Sequence, residues 1–191
     1  TASLTVTIDT IFRMKRQINM GRQAGLVLGE PNAGGSSVVS ESLSAEYMSR
    51  RFGASDLVTE MKIKYFFSNW KKIDYIVSIE GERIGVSVTR AMGYPSPHYF
   101  TEEDAARLCH KKLYGLVVAR SGVSEQFSYT RSILHCFCQT RNIANMMRAS
   151  FRALIDRDHD LRDDLTGHIV IILTVCTNIT GVFTEDFACI F

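Results

Sequence analysis

The sequence lacks the features that would place it in several large functional classes. Its formal net charge is only +2 at pH 7, so no overall electrostatic field directs it to nucleic acid or to a membrane surface. Its longest apolar run, His168 to Cys176, has the length of a strand, and no membrane span is therefore expected. Any basic footprint for a nucleic acid has to be local.

Several catalytic and metal-binding motifs are also missing. The five cysteines follow no zinc spacing, and the five histidines include no pair at metal-ligand spacing. No G-x-S-x-G nucleophile elbow occurs, and the glycine-rich loop at 29–37 lacks the lysine of a phosphate-binding loop. Cys136 and Cys138 fall on one face of a predicted strand as small core residues, which favours a reducing, intracellular compartment.

The length of 191 residues is enough for one domain with a sizeable core. We expect an α/β domain at 36–177, preceded by a basic extension and linker at 1–35 and followed by a tail at 178–191. Residues 1–29 contain four basic side chains and one acidic side chain. This composition fits either an N-terminal helix that packs on the domain or a mitochondrial presequence.

Periodicity and turn signals predict eight elements inside the domain. They are a helix at 40–52, strands at 61–67, 74–79 and 83–89, a helix from 101 to 112 or beyond, a strand at 132–140, a helix at 142–155 and a strand at 168–176. The order α-β-β-β-α-β-α-β predicts an α/β fold with a mixed central β-sheet flanked by helices. The first three strands are expected to be antiparallel, and the crossover helix makes the fourth parallel.

Polar residues stand at particular positions on these elements. Glu41 lies in the first turn of the first helix, at the end of its buried stripe, whereas Glu46 is expected to form an exposed ion pair. Asp74 opens the second strand. Ser87 and Thr89 are two residues apart on the third strand, so they point to the same face of the sheet.

This placement, together with the element order, resembles the PD-(D/E)XK nuclease-like superfamily, which includes Holliday-junction resolvases and many restriction enzymes. In that superfamily a helix glutamate, a strand aspartate and an acid-x-lysine pair on the next strand bind Mg²⁺ and activate water. Glu41, or alternatively Glu46, matches the glutamate and Asp74 matches the aspartate. Neutral Ser87 and Thr89 stand where the acid and the lysine belong. The resemblance therefore implies a restriction-endonuclease-like fold with a degenerate metal site.

Two functional alternatives follow from the resemblance. The first is a non-catalytic subunit that needs no cofactor and binds nucleic acid or joins a protein complex. The second is an active nuclease that depends on Mg²⁺ or Mn²⁺. Glu41 and Asp74 would then be the metal ligands, and Lys111 or Lys112 of the second helix would supply the missing lysine.

A lysine-rich stretch interleaved with aromatic residues follows the first helix. The candidate nucleic-acid contacts are Lys62, Lys64, Lys71 and Lys72, with Arg90 on the third strand. Aromatic neighbours such as Phe66 and Trp70 could stack on bases. The alternative is a hairpin whose aromatic face is buried and whose edge is protected by lysines.

Overall fold

The computed structural model describes residues 5–10, of these only the backbone, and residues 20–30, 37–157, 167–176, 179 and 181–184. The strands are β1 (Thr5–Thr10), β2 (Ser55–Thr59), β3 (Tyr75–Ile79), β4 (Glu82–Ala91), β5 (Arg131–Cys138) and β6 (Ile169–Val175). The α-helices within these ranges are α1 (Arg22–Leu28), α2 (Val38–Phe52), α3 (Glu102–Gly122), α4 (Arg141–Arg157) and α5 (Gly181–Thr184).

One six-stranded sheet, in the order β1-β6-β5-β4-β3-β2, organises the chain. The neighbours β2, β3 and β4 are antiparallel, whereas β4, β5, β6 and β1 run parallel. The turn between β3 and β4 places Glu80 and Gly81 at positive φ, 52° and 83°, as a tight hairpin requires. The predicted α/β class, with a mixed sheet flanked by helices, is confirmed.

Apolar side chains cover both faces of the sheet. Leu113 of α3 and Phe151 of α4 pack with Leu134 of β5 in one cluster. Met48 of α2 and Phe137 of β5 belong to a second cluster on the other face. Consecutive strand residues point to opposite faces, so β5 supplies both clusters. Burying each large side chain of this kind contributes about 1.5–3 kcal/mol.

Helix α3 matters most for the site because it crosses the face that carries Ser87 and Thr89. It begins at a capping box, at the predicted start of the helix: the Thr101 hydroxyl accepts from Asp104 N at 3.1 Å, and the Asp104 carboxylate accepts from Thr101 N at 3.0 Å. It continues through Gly115 and ends at Gly122. The helix therefore extends well past the lysines at its centre.

The predicted strand at 61–67 is wrong. The first antiparallel strand is β2, and Glu60–Lys62 forms one turn of 3-10 helix. Ile63 is buried and Tyr65 is half-buried, so the alternating pattern does report burial. However, the segment crosses toward the end of α3, where Tyr65 forms a single bridge with Val123 instead of pairing with β3.

The expected N-terminal helix within residues 1–29 is wrong at Thr5–Thr10, whereas Arg22–Leu28 does form a helix, α1. Thr5–Thr10 is strand β1, paired in parallel with β6 at the sheet edge. The remainder of that expected helix, at 11–19, lies outside the described residues. β1 joins the central sheet and α1 packs against α2, so parts of the expected N-terminal extension belong to the α/β layers. The described part of the expected tail, α5, buries Val182 and Phe183.

Candidate functional site

Asp74 is fixed to β4 immediately before β3 begins. Its N–H donates to the Val86 carbonyl at 3.0 Å, and its Oδ2 accepts from the Val88 N–H at 2.5 Å. The buried Ser87 hydroxyl also hydrogen-bonds to this carboxylate. The structure thus brings together two of the predicted site residues, Asp74 and Ser87.

Lys112 of α3 reaches the same place from the helix layer. Its half-buried Nζ donates to the Val88 carbonyl at 2.9 Å. Burial raises the pKa of Asp74, and the Lys112 charge and the hydrogen bonds from Val88 N and Ser87 oppose that increase. The backbone of Val88 therefore contacts Asp74 through its N–H and Lys112 through its carbonyl.

Glu60, which the sequence did not single out, lies close to this pair. Burial raises its pKa, the Asp74 charge adds to the increase, and the Lys72 charge opposes it. The Lys72 ammonium is 3.9 Å from the Glu60 carboxylate. Tyr65 accepts a hydrogen bond from Ile73 N at 2.9 Å, and its pKa is raised to about 12 by burial and by the charges of Glu60 and Asp74. No motif in the sequence marks Glu60, which directly follows β2 and directly precedes the strand predicted at 61–67.

Thr89 and Lys111 are not among the groups that hydrogen-bond to Asp74 or shift its pKa. Thr89 is buried two residues beyond Ser87 on the same face of β4. Lys111 is exposed and lines a surface depression with Tyr94 and Arg107. Of the two helix lysines considered from the sequence, Lys112 is the one that contacts the strand.

The two acids of α2 have different environments. Glu41 is half-buried on the helix that packs on the sheet face opposite α3. Burial raises the pKa of the Tyr75 phenol, and the carboxylates of Asp74 and Glu41 add to the increase. The expectation that Glu46 is exposed is wrong: it is 6% exposed, pairs with Arg50 and accepts from Gly21 N at 2.6 Å. That N–H at the start of α1 needs an acceptor, which explains the burial.

A second polar group, missed from the sequence, is buried on the α2 face. The Ser44 hydroxyl lies 2.6 Å from the Tyr75 hydroxyl and 2.8 Å from His135 Nδ1, and His135 Nε2 lies 2.8 Å from Thr174 Oγ1. Burial lowers the pKa of His135 to about 3, so the imidazole is neutral. Every polar atom of the ring has a partner, which makes this network part of the core.

The candidate nucleic-acid lysines lie in residues 61–73, which we call the lysine–aromatic loop. Lys62, Lys64, Lys71 and Lys72 are all exposed, and Phe66 and Phe67 are 66% and 60% exposed. A hairpin with a buried aromatic face is therefore not what forms. Arg90 lies apart on the α2 face, where its guanidinium donates to the Val182 carbonyl at 3.4 Å.

The residues around Asp74 fit a divalent cation poorly. Mg²⁺ prefers several hard oxygen ligands, whereas here the Asp74 carboxylate is held by backbone N–H and hydroxyl donors and the nearby Glu60 carboxylate is paired with Lys72. Within the described ranges, no three His, Cys, Asp or Glu side chains are grouped as metal ligands. Among the described helices, none is both long and apolar enough to cross a bilayer.

Comparison with known proteins adds one partial relative. No family model matches the chain, and no solved structure matches it. The chain is 35% identical over 127 residues to the Dictyostelium discoideum "AAC-rich mRNA clone AAC4 protein". The match covers 63% of this chain but only 18% of that protein. The chain therefore spans less than a fifth of the length of this relative.

Proposed function

We propose that this chain is a restriction-endonuclease-like domain that binds nucleic acid without cleaving it. The observation that carries the proposal is the position of the Lys112 ammonium, 2.9 Å from the carbonyl of Val88, the residue whose N–H donates to the Asp74 carboxylate. It supplies a fixed positive charge at the strand position where the resemblance places a metal. The order of elements from α2 to β6, α-β-β-β-α-β-α-β, also supports the proposed restriction-endonuclease-like fold.

An ammonium can balance the Asp74 charge but cannot perform the chemistry of a divalent metal. A bound Mg²⁺ acidifies a coordinated water and stabilises charge on the phosphate in the transition state. The Lys112 ammonium donates a hydrogen bond to a backbone carbonyl, and Ser87 and Thr89 offer only neutral hydroxyls. The arrangement thus offers a buried carboxylate without the means to activate water.

The local charge of the chain favours nucleic acid as the binding partner. The lysine–aromatic loop contains four lysines and no acidic residue. Protein interfaces are depleted in lysine, whereas phosphate contacts require cations. The net charge of +2 is small, so this loop gives the molecule a local rather than a global basic surface.

The test is an incubation of the protein with plasmid, duplex and single-stranded DNA and RNA in Mg²⁺ or Mn²⁺. We expect gel-shifted complexes, intact nucleic acid, and unchanged binding by Asp74→Asn. The second candidate, a metal-dependent nuclease that uses Lys112 as its lysine, is favoured by the contacts that Lys112 and Asp74 both make with the backbone of Val88. Cleavage by the wild-type protein that Asp74→Asn abolishes would establish that candidate and overturn the proposal.

A further inference from the structure

Two adjacent phenylalanines project from the lysine–aromatic loop. Phe66 is 66% exposed and Phe67 is 60% exposed. The Phe67 ring lies against the Trp70 ring, with centroids 5.5 Å apart and planes inclined by 30°. Exposed rings that cluster in this way leave apolar faces in water and indicate a surface that is covered by a ligand.

Hydrogen bonds and close packing fix the part of the loop that carries Phe66, Phe67 and Trp70. The Trp70 indole donates to the Val118 carbonyl at 2.6 Å and lies directly against the backbone of Gly122, where even a methyl group would clash. The loop is joined to the segment after α3 by the bonds Phe66 N to Gly122 O at 3.0 Å and Ser124 N to Lys64 O at 2.9 Å. The Trp70 ring and the loop backbone that carries Phe66 and Phe67 are therefore held in place before any ligand arrives, which lowers the entropic cost of binding.

Exposed lysines flank the rings in the sequence of the loop. Lys62 and Lys72 lie 3.9 Å from the carboxylates of Glu30 and Glu60 respectively. Lys64 and Lys71, which flank the two phenylalanines in sequence, are exposed to solvent. Cations beside exposed aromatic faces match a ligand that alternates phosphates with planar bases.

We infer that the lysine–aromatic loop binds single-stranded nucleic acid, with bases stacked on Phe66 and Phe67 and phosphates contacted by Lys64 and Lys71. In a duplex the base faces are already stacked on each other, so only an unpaired strand offers them to the protein. This inference rests on the proposed function, because it specifies which nucleic acid is bound and by which residues.

The experiment measures binding of fluorescent oligo(dT) and of a matched duplex by anisotropy, over a range of salt concentrations. We expect the single strand to bind more tightly than the duplex. Phe66→Ala/Phe67→Ala should weaken oligo(dT) binding about tenfold or more. Lys64→Ala/Lys71→Ala should lower the salt slope by about 0.7 for each phosphate that the protein no longer neutralises.

Matched substitutions elsewhere on the surface serve as controls. Tyr114 is 54% exposed on α3 and Lys111 is exposed beside it. Tyr114→Ala and Lys111→Ala should leave the oligo(dT) affinity unchanged. The four loop residues are exposed, so all variants should melt close to the wild-type temperature.

The possible outcomes separate this inference from the proposed function. Equal affinity for duplex and single strand, or oligo(dT) binding that survives loss of both phenylalanines, would overturn the inference and leave the proposed function standing. Absence of binding to any nucleic acid would overturn both. Self-association of the free protein that the double phenylalanine variant removes would instead identify the loop as a protein interface, and would also overturn the inference.

Discussion

Replacement of Lys112 by methionine isolates the charge that stands beside Asp74. Methionine keeps the unbranched, apolar stem of lysine and removes the ammonium that donates to the Val88 carbonyl. It leaves Asp74 with the hydrogen bonds from Val88 N and Ser87, but without its cation. The variant therefore tests whether the ammonium stabilises the fold through that carboxylate.

The expected loss of stability at pH 7 is about 2 kcal/mol. A hydrogen bond to a charged group contributes about 1.5–3 kcal/mol, and the solvent exposure of Lys112 places its effect toward the lower part of that range. For a chain of this size, about 2 kcal/mol corresponds to a decrease of about 4–8 °C in melting temperature.

The loss should also depend on pH. Burial raises the pKa of Asp74 in the folded state, so its contribution to stability is complete below the pKa of the unfolded chain and is lost as the pH rises through the folded pKa. Removing Lys112 raises that folded pKa further. The difference between wild type and Lys112→Met should therefore be large at pH 7 and should shrink as the pH falls toward about 4.

Urea unfolding at several pH values measures both quantities, with Lys111→Met as the matched control. Lys111 is the exposed neighbour of Lys112 in α3, so its replacement should cost less than about 0.5 kcal/mol. In the Asp74→Asn background, Lys112→Met should lose its pH dependence, since the charge it balances is gone, and should keep only the loss that comes from the hydrogen bond to the Val88 carbonyl. If Lys112→Met behaves like Lys111→Met, or costs the same at every pH, the ammonium does not act through Asp74.

Three further predictions concern the framework. Gly122→Ala should destabilise the fold by about 1–3 kcal/mol and shift the fluorescence of the single tryptophan, because its methyl would lie 1.7 Å from Trp70 Nε1. Gly115→Ala places its methyl in open space and should stabilise α3 slightly. Equal melting temperatures for the two variants would contradict this prediction. Burial lowers the pKa of His135 in the folded state to about 3, so the contribution of this residue to stability should decrease as the pH falls below about 6.5. His135→Leu should be less stable, and in urea titrations at several pH values its unfolding should take up to one proton fewer from solution than unfolding of the wild type. Glu46→Ala should lower the free energy of unfolding by about 1–2 kcal/mol, because it removes the acceptor of Gly21 N. Glu46→Gln keeps an acceptor oxygen and should retain most of that stability. Comparable losses for the two variants in thermal melts would show that the charge of Glu46, not the hydrogen bond, matters.

Local signals predicted much of the framework. The Thr101 capping box and the turn at Glu80–Gly81 act within a few residues, so the sequence alone places the start of α3 and the β3–β4 hairpin. Residues 61–67 of the lysine–aromatic loop do not form the predicted strand, because an alternating pattern reports which side chains are buried and not what they pair with. Ile63 is buried in the core beneath α3, while the loop crosses toward the end of that helix.

The site could be predicted only in part for the same reason. Ser87 and Thr89 lie on β4 and Asp74 immediately precedes its neighbour β3, so strand register predicts which of them share a face. The hydrogen bond between Lys112 and Val88 depends on how α3 packs across the sheet, which no local pattern specifies. Glu60 was missed because its position became visible only once β2 was known to end at Thr59.

A Mn²⁺ titration followed by thermal melting tests the central claim, that Lys112 rather than a metal balances Asp74. Binding of a ligand to the folded state alone raises the melting temperature. We predict no saturable increase at millimolar Mn²⁺ in the wild-type protein, and the same behaviour in Asp74→Asn. A saturable increase that disappears in Asp74→Asn would show a metal site at that carboxylate and would contradict the claim.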